Sequence, residues 1–276
     1  MSGKVKRSQV AGMNLMYKWY SFDYFLDSME RLGFERIALW GGPPHFQCDY
    51  HTYDDCKKLD RKIKKKKLEI SSFLVTSTNY RYQIATEERE HFEKCFLYFK
   101  NGILACEELG CSFMSCNSGW GYFNHDREEA WKRSCDMLSR LSEEAEKHGI
   151  ILTMESLKPI ESNLVTTIGE AKRMYDEIHH SAFKIMVDTG AIAYQSETLQ
   201  QWFDVFGENI NGMHFVDSMH KVWGEGNLNL QEMIETIVRN SYKGTLALET
   251  SGSSYFRNPY QADKKNMEAL EPFFEE

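Results

Sequence analysis

The chain has 276 residues, with 33 Lys and Arg against 41 Asp and Glu, and its formal net charge of −8 argues against a large phosphate-backbone footprint. A composition of 42% hydrophobic and 13% aromatic residues with only 5 Pro is that of a folded soluble globule, not a disordered chain. No run approaches the ~18 apolar residues of a membrane span, and the start Met1-Ser2-Gly3-Lys4-Val5-Lys6-Arg7 has charge without an apolar stretch behind it, so no secretory signal is expected.

Several amphipathic stretches end in Gly and pass directly into a short apolar run: Leu32-Gly33-Phe34, Leu109-Gly110-Cys111, His148-Gly149-Ile150 and Lys243-Gly244-Thr245. Gly after a helix takes the left-handed conformation that closes it, and the β-branched or aromatic residues that follow start a strand. In chain order, strands are predicted over 11–17, 36–40, 69–75, 112–117, 150–155, 183–188, 212–216 and 246–250. Helices are predicted near 22–32, 53–66, 86–109, 127–148, 168–179, 197–206, 229–239 and 260–274. Such alternation in a chain near the usual ~250 residues predicts an α/β fold, a (β/α)8 TIM barrel, with residues 1–276 as a single domain. An open doubly wound sheet is the alternative. The basic run Arg61-Lys62-Ile63-Lys64-Lys65-Lys66-Lys67 is read as the solvated last turn of a helix, where cations complement the macrodipole. The 7 Cys are odd in number, lie in the first half and include no C-x-x-C pair, which predicts reduced thiols and a cytoplasmic location.

In a barrel, the residues ending the strands point into a common mouth. The fifth strand ends in Glu155, the sixth in Asp188, the seventh carries His214 and the eighth ends in Glu249. Three carboxylates crowded in a low-dielectric mouth repel one another unless a cation sits among them, and a neutral imidazole adds a nitrogen donor. The group reads as a site for one divalent ion, with Mn²⁺ first and Mg²⁺, Co²⁺ or Zn²⁺ as alternatives. Such an ion would acidify a carbon between a carbonyl and a hydroxyl and stabilise the enediolate that follows, with Glu155 and Glu249 as a paired acid and base.

The ligands are separated by 33, 26 and 35 residues and sit in Met-Glu, Val-Asp-Thr, His-Phe-Val-Asp and Leu-Glu-Thr contexts. In these features the chain resembles the ketose 3-epimerase branch of the xylose isomerase-like barrels. Leu39-Trp40-Gly41-Gly42-Pro43-Pro44-His45, the segment from Glu155 to Asn163, and Gly224-Glu225-Gly226 most resemble the fructoselysine epimerases within it. The resemblance implies that Glu155, Asp188, His214 and Glu249 hold the metal, that Glu155 and Glu249 move the proton, and that Glu161 binds the substrate near the reacting carbons. It also exposes two departures: where tagatose- and psicose-type enzymes carry a His and an Arg, this chain has Ala191 and His220. With His220 at that end of the pocket, a ketoamine such as fructoselysine is the expected substrate.

Trp40, Trp120 and Tyr122 follow strands two and four, where an aromatic ring either stacks on a sugar or packs. His45 is a substrate contact or a surface-loop histidine. Gly224-Glu225-Gly226 is a weak phosphate-loop signal, since Glu225 would repel an anion. His179-His180 is read as a helix end. A polyol or inosose-type dehydratase on the same metal site is the rival enzyme, and a non-catalytic sugar-binding barrel the rival class. Apurinic endonuclease chemistry is disfavoured because it needs a His where Ala191 stands. The expected partner is a small sugar or ketoamine, with no nucleic acid and no membrane; a homo-oligomer is left open.

Overall fold

Each of eight strands pairs in parallel with its sequence neighbour, and the last closes on the first. A computed structural model describes residues 4–49, 53–77 and 81–275; Met1-Ser2-Gly3 of the charged start lie outside the described residues. The strands are β1 (Val10–Met13), β2 (Arg36–Gly41), β3 (Glu69–Val75), β4 (Phe113–Asn117), β5 (Ile151–Glu155), β6 (Phe183–Asp188), β7 (Ile210–His214) and β8 (Thr245–Leu248). The helices are α1 (Phe22–Arg31), α2 (Tyr53–Lys65), α3 (Arg89–Leu109), α4 (Arg127–Lys147), α5 (Ile168–Ile178), α6 (Thr189–Tyr194), α7 (Leu199–Phe206), α8 (Leu230–Arg239) and α9 (Pro259–Leu270). This is the (β/α)8 barrel that the alternation predicts.

The two-residue period of a strand sorts its side chains. Leu152 and Met154, Ile185 and Val187, Met213, Leu246 and Leu248 belong to the large core between sheet and helices. Their neighbours point into the barrel, where Ala11, Met13, Ala38, Trp40 and Ala247 form a separate small cluster. Small residues on three strands leave room there for the one large indole. The same alternation puts Glu155, Asp188 and His214 on the interior face at the C-terminal ends of their strands.

Three of the four glycine stops behave as predicted: Gly33, Gly110 and Gly149 have φ of 73°, 68° and 65°. The fourth is a correction. Ser241 takes the left-handed turn after α8, at φ 53°, while Gly244 has no such backbone. A Cβ at Gly244 would lie 2.3 Å from the Tyr242 hydroxyl, so close packing requires glycine there.

Three strands differ from the prediction by two residues or more at an end, and one of them is β8, which stops at Leu248 and leaves Glu249 just past it instead of ending the strand. β1 stops at Met13 because Asn14 turns its side chain to β2, accepting from the Trp40 N–H (2.6 Å) and donating to the Trp40 carbonyl (3.0 Å). β7 begins and ends two residues early, so His214 is the strand end itself. The short α6 follows β6 with no intervening loop because Asp188 caps it. The basic end of α2 is neutralised by α1: Lys62 meets Asp23 at 2.9 Å, and Lys66 meets Asp27 at 2.7 Å and Glu30 at 2.8 Å. All seven cysteines are free thiols, six of them buried. No helix among the described residues is long and apolar enough to cross a membrane.

Candidate active site

Parallel pairing of Asp188 with His214 and of His214 with Ala247 brings the ends of β6, β7 and β8 level at one mouth. Glu155, at the end of β5, and Glu249, just past β8, flank the imidazole between them. His214 Nδ1 lies 2.5 Å from Glu155 Oε1 and 2.9 Å from Glu249 Oε2. One donor atom each from Glu155, Asp188, His214 and Glu249 falls within 4.8 Å of every other. The His214 side chain is 1% exposed, and its Nε2 has no hydrogen-bond partner. Three carboxylate oxygens and a nitrogen this close, largely out of water, suit one divalent cation, which would balance charges that otherwise repel.

The carboxylates are not equivalent. Burial pushes the Glu155 carboxyl up to about 7 even with His214 beside it. Burial would also raise Glu249 and Asp188, but His214 and His220 beside Glu249, and His220, His214 and Lys158 around Asp188, hold both below the usual carboxylate range. The two glutamates flank one imidazole from opposite sides, the placement a paired acid and base require.

Asp188 is anchored on both oxygens. Oδ1 accepts the Gly190 N–H (2.7 Å) and the Ala191 N–H (3.2 Å) of α6, and Oδ2 lies 2.8 Å from His220 Nε2. His220 is thus against the cluster. Its Nδ1 is also 3.8 Å from Glu249 Oε2.

Lys158, which the sequence analysis did not single out, belongs to this neighbourhood. Its side chain is 14% exposed and its Nζ lies 3.1 Å from Glu161 Oε1, while its own backbone N–H donates to Glu161 Oε2 at 3.2 Å. Burial would lower the ammonium, yet the charges of Glu161, Asp188 and Glu249 together hold it above its ordinary value. The signal available in the sequence is its spacing, three residues after Glu155 and three before Glu161 in a tight loop. The Lys158 carbonyl closes that loop by accepting from the Glu161 and Ser162 N–H groups.

The remaining predicted contacts lie around the mouth. Trp40, at the end of β2, is 5% exposed and packs inside the barrel. His45 uses both ring nitrogens within the protein: Nε2 donates to the Tyr20 carbonyl at 2.8 Å and Nδ1 accepts from Asn14 Nδ2 at 3.1 Å. It ties the loops after β1 and β2 together. Trp120 lies past β4, edge to face with Tyr122 at 5.6 Å, and its backbone N–H donates to Gln83 Oε1 at 3.3 Å.

The Gly224-Glu225-Gly226 loop already has an anion of the protein's own. Asp217, fully buried, accepts from Gly224 and Gly226 at Oδ2 (3.0 and 2.9 Å) and from Ser218 and Leu228 at Oδ1 (2.7 and 2.9 Å). A Cβ at Gly226 would lie 2.3 Å from that carboxylate, which accounts for the glycine. The G-x-G signal therefore marks the folding of the β7–α8 loop around Asp217.

The sequence profile of the xylose isomerase-like TIM barrels matches residues 26–273. A fructoselysine 3-epimerase of Shigella flexneri is 25% identical over 230 residues, covering 82% of this chain and 83% of that protein. A D-psicose 3-epimerase of Enterocloster bolteae is 22% identical over 257 residues, 88% of this chain and 84% of that one. Among solved structures, the 3-keto-D-glucoside 4-epimerase of E. coli superposes with a TM-score of 0.81 at 16% identity, covering 96% of this chain and 99% of that one. With the closed barrel and the profile match over nearly all its length, the chain belongs to the xylose isomerase-like TIM barrel family.

Proposed function

We propose that the protein is a metal-dependent sugar epimerase, acting as one barrel domain over residues 1–276 on the third carbon of a ketose or ketoamine such as fructoselysine. The observation that carries this reading is the convergence of Glu155, Asp188, His214 and Glu249, with the two glutamates on either side of His214. Glu155, Asp188, His214 and Glu249 would hold the divalent ion, Mn²⁺ in first place, which supplies positive charge opposite the substrate oxygens on which negative charge develops. Glu249 takes the proton from one face of the sugar carbon, and Glu155 returns one to the other face. In the reverse direction the roles exchange.

The Lys158–Glu161 pair presents a donor and an acceptor side by side for substrate hydroxyls. Ala191 and His220 leave a smaller, less basic boundary at the first carbon than a His and an Arg would, which favours a substituent there over a free hydroxyl. Trp40 near the end of β2, His45 just past it and Trp120 past β4 are on the mouth side of the barrel, where they would meet the substrate. The mainly buried free thiols fit a reducing, cytoplasmic setting.

The test is incubation with fructoselysine, psicose, tagatose and fructose in heavy water, with metal analysis of the wild type and of Asp188→Ala and His214→Ala. The expected result is about one divalent ion per chain, lost in both variants, and solvent deuterium at the epimerised carbon. A strong preference for the free ketoses would refute the ketoamine assignment. A deuterated substrate that loses water in place of changing configuration would favour the dehydratase.

A further inference from the structure

His220 is held at the site against a conformational cost. It and the preceding residue both have left-handed backbone, φ 59° at Met219 and 53° at His220, a region that costs non-glycine residues of order 1 kcal/mol or more each. Three contacts fix this geometry. The His220 carbonyl accepts the Ser251 N–H at 2.8 Å, just past Glu249. Asp217 gathers the chain on either side through four backbone N–H groups. Finally, Gly190 leaves the space the ring occupies, since a Cβ there would lie 3.0 Å from His220 Cδ2 and 3.2 Å from Asp188 Oδ1. The His220 side chain is 11% exposed, and its Nε2 forms an ion pair with Asp188 Oδ2 at 2.8 Å without meeting hydrogen-bond alignment.

A buried, strained histidine beside a carboxylate of the candidate metal cluster has a definite physical use. A carboxylate whose second oxygen is paired with an imidazole 2.8 Å away is restrained in its rotation, so less order has to be imposed when the ion binds. We propose that His220 is a positioning residue that orients Asp188 for metal binding and thereby sets the affinity of the centre. This rests on the metal-centre reading above. It adds a residue outside the four donors, placed by the β7–α8 loop and not by a strand.

The experiment measures metal affinity directly, by calorimetric titration of chelator-stripped protein with Mn²⁺ and Co²⁺. The proteins compared are wild type, His220→Ala, His220→Gln and Asp188→Ala. Loss of an outer partner of a metal ligand lowers affinity by about 10–100-fold, so His220→Ala should raise Kd by that factor. His220→Gln, whose amide N–H can reach the position of Nε2, should recover most of the loss. The visible spectrum of the Co²⁺ form should change in the alanine variant and return toward wild type in the glutamine one. His220→Ala within twofold of wild type, with Asp188→Ala unable to bind, overturns the proposal and leaves the four-donor centre standing. Equal losses in the alanine and glutamine variants also overturn it, because position 220 would then matter only for the fold. If Asp188→Ala binds as wild type does, the centre itself fails and this inference with it.

Discussion

Replacing Asp217 with Asn keeps the shape of the side chain and removes one acceptor oxygen. Each carboxylate oxygen takes two backbone N–H groups, Ser218 and Leu228 at one and Gly224 and Gly226 at the other, all between 2.7 and 3.0 Å. Whichever way the amide turns, its NH₂ faces two N–H donors and leaves both without an acceptor. A buried unsatisfied group costs about 1–3 kcal/mol, and these amides are only partly buried, so a loss of about 2–4 kcal/mol is expected. For a chain of this size that corresponds to a fall in Tm of roughly 4–8 °C. Urea titration measures the free energy, and amide hydrogen exchange locates it: Gly224, Gly226 and Leu228 should lose protection before the barrel strands do. Because the same loop carries His220, metal affinity should fall as well. Asp217→Asn within about 0.5 kcal/mol of wild type, with protection unchanged at those glycines, would refute the reasoning.

Glu155→Gln and Glu249→Gln should each lower turnover by about 10²- to 10⁴-fold, the usual loss when a positioned acid or base is removed; stopped assays of solvent-deuterium uptake check this, and wild-type uptake in either variant speaks against a proton-transfer role for that residue. The buried Asp263 carboxyl, hydrogen-bonded by the Tyr17 hydroxyl at 2.7 Å, is pushed by burial from 3.8 to about 7. The folded state therefore holds that proton longer than the unfolded chain, and the stability it contributes is full below about pH 4 and lost as pH rises through 7. Asp263→Asn should flatten this slope in urea titrations from pH 4 to 8, and an unchanged slope would show that another group causes it. Chelation should leave the far-ultraviolet spectrum intact and lower Tm, since free metal at 100 times Kd contributes about 2.7 kcal/mol; unfolding on chelation would contradict a core that stands by itself.

How much of this was legible in the sequence depends on the range of the interaction that decides it. The eight strand–helix units are written in local periodicity and in glycine stops such as Gly33 and Gly110, because helix closure is settled within one turn. The four cluster residues are legible for a related reason. Glu155, Asp188 and His214 end their strands and Glu249 follows β8 directly, and parallel strands of a closed barrel must bring their ends to one mouth whatever the loops do. Gly244 misled because glycine serves two purposes, a left-handed turn and close packing, and only the position of the Tyr242 hydroxyl distinguishes them. Loops carry no such period. That Asp217 fills the Gly224-Glu225-Gly226 nest, that Lys158 turns back onto Glu161, and that His45 spends both nitrogens on Asn14 and Tyr20 all depend on pairings across loops. His220 is the clearest case. Its backbone angle, the space left by Gly190 and the nearness of Asp188 come from three separate segments. Sequence determined which strand ends carry the candidate metal donors, whereas only the packing of loop against loop decided what stands behind them.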